Sequence, residues 1–321
     1  MNVYAKEPTV ESNSTKFGFY PKYLDIKTDF FSVITIPEYK SVINDIKAHP
    51  NVDKDWFYAG SQKVKDLYGN VSTKPYSNRV FSLPNTHILT LNGAFSQEDL
   101  NFVIWCLSFF TGMRLTTTQA GFLDATPIKP GALVDFVVSD SSEQNAIQVA
   151  LNYLKKENHH PRECTRIAAV IHALFLAQRP QLLHFEKFQY LYMALDGCFS
   201  IMWDRRDITK KHEKPKHIDR VKWMCKQFEM HPPFWADGKD SITPIRNDSF
   251  HEAIFFDQPL GFSAYGTERS SSEHDNILLQ IKALIYRFLV AILEVKDASY
   301  ISSSLNSRAY YQLKIGDFLS Y

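Results

Sequence analysis

From Ile167 onward the apolar residues of this chain recur at the three-to-four spacing of an α-helix. Ile167, Val170, Ile171, Leu174 and Phe175 form one stripe, and Phe185, Phe188, Tyr192, Leu195, Phe199 and Met202 form another. Residues 276–295 carry a further stripe at Ile277, Ile281, Leu284, Ile285, Phe288 and Ile292. At 3.6 residues per turn each set falls on one side of a cylinder, and that side must be covered by another apolar surface. Helices of this kind bury one another, so the second half of the chain is predicted to be an all-α bundle. A shorter helix over about 216–228 and another opening near Ser241 belong to the same bundle.

The first half has a different pattern. Residues 30–36, 79–83, 87–91, 114–118 and 132–138 are short runs rich in β-branched or aromatic side chains, with turn residues such as Pro84-Asn85 and Pro130-Gly131 between them. Such runs predict strands. Pro37 opens a helix through Lys47, and Ser96 caps a second one with Glu98 and Asp99 in its first turn and Gly112 at its end. Val103, Leu107 and Phe110 give that helix a buried stripe, widened by Ile104 and Trp105. The fold class is therefore α+β, with a mixed helix-and-strand domain over residues 1–157 and an all-α domain over 158–321. The boundary is placed at the polar break 158–161. The helix predicted within 139–162 fits either side, so the position is good to about a dozen residues.

One stretch carries chemistry, SITPIRNDSFHEAIFFDQPLGFS over 241–263. Ser241 or Thr243 can cap a helix whose first turn accepts Pro244, and Asp257, Pro259 and Gly261 stop it after about Phe256. Asn247 and His251 are four apart and share a face, with Arg246 about 100° round the helix. A phosphate-sized anion would meet all three. Imidazole takes and gives protons near neutral pH, guanidinium grips phosphate oxygens in pairs, and an amide positions a hydroxyl or an imidazole without adding charge. The trio suits RNA cleavage in which the 2′-hydroxyl attacks the adjacent phosphorus without a metal.

Arg-to-His spacings of similar length recur at Arg166/His172, Arg179/His184, Arg205 or Arg206/His212 and Arg269/His274. Arg166 is followed by apolar Ile167, Arg179 by Pro180, and Arg269 by a serine run. Arg206 is followed by polar Asp207, but where a helix ends in a lysine-rich connector. Arg246-Asn247-x-x-x-His251 ranks first.

That motif in a late helix of an all-α half, followed by HEAIFFDQPLGFS, resembles the Arg-polar-x(3–5)-His signature of the HEPN ribonucleases, and the layout is most similar to the ApeA-like HEPN proteins of bacterial anti-phage defence. The resemblance covers roughly the last half of the chain. It implies a bundle that forms a homodimer, brings two motifs together and cuts RNA, tRNA among the candidates, to 2′,3′-cyclic or 3′-phosphate and 5′-hydroxyl ends. It implies a toxic effector acting by abortive infection, with Arg246, Asn247 and His251 catalytic and no metal or other cofactor. A base and an acid are needed on opposite sides of the phosphorus, and two copies of His251 across a two-fold axis would supply both. Asp196, at the margin of the second stripe, either orients Arg246 or His251 or is a solvated flanking acid. By the same resemblance the first half is a sensor or recognition domain for a phage-derived trigger. The alternative is a catalytically silent HEPN module used for dimerisation or nucleic-acid binding.

A formal net charge of +1 over 321 residues supplies no overall attraction for nucleic acid, so contacts must come from a local patch. The run 204–222 holds eight Lys or Arg against four acids, and Arg205, Arg206, Lys210, Lys211, Lys214 and Lys216 are its candidate RNA-binding residues. Such runs are otherwise solvated connectors. Cys106, Cys164, Cys198 and Cys225 have neither zinc-ligand spacing nor a paired framework and are expected to be reduced core thiols. His87 lies in a strand-like run with no ligand partner at metal spacing, and Asn92-Gly93 reads as a turn. No stretch has the length or flanks of a signal peptide or membrane span, so a cytoplasmic location is expected, with no membrane partner.

Overall fold

The computed structural model describes residues 12–58, 60, 62–74, 83–117, 125–138, 142–156, 161–206, 213–236, 242–251, 277–305 and 311–316. The chain is mixed α/β, with strands concentrated early and helices late. It divides into two compact units, Met1–Leu133 and Val134–Tyr321.

In chain order the first unit carries β1 (Ser12–Gly18), β2 (Asp25–Lys27), β3 (Phe31–Thr35), α1 (Tyr39–Lys47), β4 (Val52–Asp53), β5 (Trp56–Phe57), β6 (Gln62–Lys65), β7 (Val71–Lys74), β8 (Asn85–Asn92), α2 (Gln97–Thr111) and β9 (Thr126–Pro127). Its main sheet is antiparallel, in the order β1-β8-β3-β2. Phe31 and Val33 stand opposite Leu91 and Leu89, and all four are fully buried, because every second residue of a strand faces the same side. His87 is a packed residue of this sheet. Its ring stacks on Phe17 at 5.3 Å, with Nδ1 2.8 Å from the Thr86 hydroxyl and Nε2 3.1 Å from the Lys22 carbonyl. At the β1 bulge a Cβ on Gly18 would lie 2.6 Å from the Pro84 carbonyl oxygen, so only glycine permits the approach.

Helix α2 begins and ends where its sequence directs. The Ser96 hydroxyl accepts from the Asp99 N–H at 3.1 Å, the Asp99 carboxylate accepts from the Ser96 N–H at 2.8 Å, and Gly112 closes the helix at φ 61°. Two of the predicted strands meet this C-terminus and are altered by it. Within 114–118 the described backbone makes a single bridge, Thr116 to Gly18, because the Met113 and Leu115 N–H groups bond to the Ser108 carbonyl and hydroxyl. Within 132–138 only Phe136–Val138 is a strand, since the Gly131 and Leu133 N–H groups are held by the carbonyls of Thr111 and Gly112. Residues 79–82 of another predicted strand lie outside the described residues.

The second unit carries β10 (Phe136–Val138), α3 (Ser142–Leu154), α4 (Pro161–Leu176), α5 (His184–Asp204), α6 (Arg220–Gln227), α7 (Ile242–His251), α8 (Ile277–Ile292), α9 (Ala298–Ile301) and β11 (Tyr311–Leu313), with 3-10 turns at His217–Asp219 and Phe234–Ala236. Helix α5 packs on both α4 and α8. The α4 stripe from Ile167 to Phe175 is buried, and so are Phe188, Tyr192, Leu195 and Phe199 of α5, with Phe185 and Met202 at the half-buried margins. Each such aliphatic or aromatic side chain contributes about 1.5–3 kcal/mol on burial. Helix α8 is buried beyond its predicted stripe, with Tyr286, Leu289 and Val290 fully enclosed, and is the centre of the unit.

The division at 133/134 falls earlier than the predicted 157/158, and a buried polar network explains it. Arg287 of α8, 1% exposed, donates to the Asp135 carboxylate at 3.0 Å, to the Ala283 carbonyl at 2.8 Å and to the Ser303 hydroxyl at 2.8 Å. The Tyr300 hydroxyl donates to the other Asp135 oxygen at 2.6 Å. Strand β10 follows directly and pairs in parallel with β11. Asp135 and β10 thus belong to the helical unit, as does α3, whose Tyr153 hydroxyl bonds to Glu163 and Arg205. Pro161 is the first residue of α4, where a missing N–H costs nothing, rather than part of a break. All four cysteines are buried free thiols. Among the described residues no helix is long and apolar enough to cross a membrane.

Candidate active site

Helix α7 is anchored by Ile242, 3% exposed, and packs on α5 and on the 3-10 turn His217–Asp219. It starts at Ile242, which puts Thr243 inside the first turn rather than at the cap, and residues past His251 lie outside the described residues. Arg246 is half-buried, while Asn247 and His251 are exposed. One terminal nitrogen of the Arg246 guanidinium lies 3.0 Å from Asn247 Oδ1 and 2.6 Å from His251 Nε2. Guanidinium has donors only, so Nε2 must accept.

The Arg246 guanidinium also sits 5.9 Å from the ring centre of Tyr192, one turn before Asp196 on α5. Tyr192 and Asp196 line a shallow cleft with His217, Arg220, Ile242 and Thr243, floored by Trp235, whose indole N–H donates to Gln280 at 2.8 Å. The cleft's volume is about 10 Å³, on the order of a single water. Asp196 pairs with Arg220 at 2.8 Å, and Arg220 stacks over Phe199 at 4.6 Å. Among the described residues the ion-pair partner of Asp196 is thus Arg220, not Arg246 or His251. Burial and the Asp196 charge push the Tyr192 phenol up to about 12, against Arg246 and Arg220, which keeps it a neutral hydroxyl. His217 is held below the ordinary histidine range by partial desolvation, then by Arg220, with Arg246 and Lys214 adding to the effect and Asp196 opposing it.

The six candidate RNA-binding residues of the 204–222 run divide. Arg205 is taken into the fold, with Nε 2.8 Å from Glu163 and a terminal nitrogen 3.0 Å from the Ile292 carbonyl, so it is no free phosphate contact. Arg206 lies flat on Trp203 at 3.6 Å. Lys214 and Lys216 are exposed beside the cleft turn, and Lys210 and Lys211 lie outside the described residues. Of the competing Arg/His pairs, Arg166 is held by Asp204 at 2.7 Å. Among the described residues no three His, Cys, Asp or Glu side chains are grouped to hold a metal ion.

Tyr192, His217 and Arg220 were legible only as a core aromatic and as members of a charged run. The signal for the first was its i,i+4 relation to Asp196, which sets both on one face of α5. No family model matches the chain, and neither a curated protein nor a solved structure matches it.

Proposed function

We infer that the chain is a metal-independent RNA endonuclease of the HEPN type, acting as a homodimer and as a toxic effector in anti-phage defence. The observation that supports this reading most directly is the convergence of Arg246, Asn247 and His251 on one exposed face of α7. A phosphodiester placed there would take two guanidinium hydrogen bonds in place of those to Asn247 and His251. That exchange frees Nε2 of His251 for proton transfer. Lys214 and Lys216, exposed nearby, add local positive charge to a chain whose net charge is only +1.

The alternative, a catalytically silent module that dimerises or binds nucleic acid, draws on the same bond, since Nε2 of His251 is occupied in the free chain. The two readings part in one assay. Purified full-length chain is incubated with total RNA and with tRNA, and the ends produced are mapped. Cleavage leaving cyclic or 3′-phosphate and 5′-hydroxyl ends, lost in His251→Ala, supports the enzyme; RNA retention on a column without cleavage supports the silent module.

A further inference from the structure

Resting on the nuclease reading, we propose that His217 is the second proton-transfer residue of the site, so that one chain supplies both the base and the acid. The turn that carries His217 packs against α7, and His217 shares its cleft with Ile242 and Thr243 from the first turn of that helix. Tyr192 connects the two histidines spatially. It lines the cleft beside His217, and its ring faces the Arg246 guanidinium that is bonded to His251. The Arg246 charge is felt at His217, so a phosphate seated on Arg246 would have the cleft that His217 lines on one side and His251, bonded to the same guanidinium, on the other.

Their environments assign the roles. His217 is faced by Arg220 of α6, Asp196 and the Tyr192 phenol of α5, Arg246 of α7 and Lys214 of the preceding segment. Partial desolvation, then Arg220, with Arg246 and Lys214 adding and Asp196 opposing, favours its neutral imidazole, the form a base needs. The arriving phosphate takes the Arg246 guanidinium from Nε2 of His251 and leaves that nitrogen to face the 5′-oxygen, the place of the acid. His217 takes the 2′-hydroxyl proton as the 2′-oxygen bonds to phosphorus. The bond from phosphorus to the 5′-oxygen breaks, and that oxygen leaves with the proton of His251. The products are a 2′,3′-cyclic phosphate and a 5′-hydroxyl, and exchange with water resets both rings.

The test compares the full-length chain with His217→Ala, His217→Gln and His251→Ala on one RNA bearing either a normal linkage or one with sulfur in place of the 5′-oxygen. A thiolate leaves without a proton, so losing the acid is repaired on the sulfur linkage and losing the base is not. Both His217 variants are expected to be slowed about 10²-fold or more on either linkage, and His251→Ala on the normal linkage only. His217 is exposed, so its variants should unfold at the wild-type temperature. Cleavage by the His217 variants within about threefold of wild type, or their recovery on the sulfur linkage, overturns the assignment and leaves the nuclease reading standing. A wild-type chain that leaves both RNAs intact overturns the nuclease reading and the assignment with it.

Discussion

Arg246 and His251, five residues apart on α7, are joined by a 2.6 Å hydrogen bond in which the guanidinium donates to Nε2. A guanidinium only donates, so the bond requires Nε2 as acceptor and fixes the imidazole against the Arg246 side chain.

The motif is therefore expected to be sensitive to the shape of the cation as well as to its charge. Arg246→Lys keeps the charge and loses the planar fork, and His251→Ala loses the imidazole. Each is expected to lower RNA cleavage by about 10²–10⁴. Asn247 and His251 are exposed, so the thermal unfolding of His251→Ala should match wild type. Cleavage by Arg246→Lys at the wild-type rate would mean that charge alone suffices.

The electrostatics around His217 can be read without any RNA. Its imidazole is expected to titrate below about 6.5 by NMR, because desolvation and Arg220 disfavour the charged form. Arg220→Gln should move the midpoint up and Asp196→Asn should move it down. The folded state binds the proton less well than the unfolded chain, so this group's contribution to stability is present above the unfolded value of about 6.5 and is lost as the pH falls from there through the lower folded-state value. His217→Gln should flatten that part of the stability profile.

The parts that were legible in the sequence share a physical reason. The α4 and α5 stripes and the α2 caps are local patterns, set by a helix repeat or by residues three apart. Two-residue strands such as β4, β5 and β9 carry no period to detect. Burial of α8 well beyond one stripe, over residues 283–290, hides its role as the centre behind an ordinary helical pattern. The Arg246, Asn247 and His251 cluster was visible because it lies within one helix. The Asp196–Arg220 pair was not, because its members are 24 residues apart on different elements and only packing brings them together.

Cleavage is expected to persist in excess EDTA. The acid nearest the motif helix in the cleft, Asp196, is committed to Arg220, and no described group of three ligand-type side chains stands beside Arg246. Product ends mapped with and without chelator check this. Activity that returns only with added Mg²⁺ and leaves 5′-phosphates would require a different chemistry.

The Asp135–Arg287 pair determines where the helical unit can be cut free. A fragment opening at residue 158 discards Asp135, β10 and Tyr153 while keeping Arg287 in the middle of α8. Burial pushes the Asp135 carboxyl up against the pull of Tyr300 and Arg287, so the guanidinium is the partner with more to lose from separation. Removing one member of a buried pair costs about 3–5 kcal/mol, a large share of a domain's net stability of about 5–15 kcal/mol. Strand β11 would also lose its only described neighbour in the sheet. A fragment over 134–321 is therefore expected to unfold cooperatively on heating, while one over 158–321 should be destabilised by at least that amount and expose apolar surface to a hydrophobic dye. Full-length Asp135→Ala should show the same loss by urea denaturation. Equal stability of the two fragments would mean that residues 134–157 are an appendage, and that the buried guanidinium finds enough partners in Ala283, Ser303 and Ser304 alone.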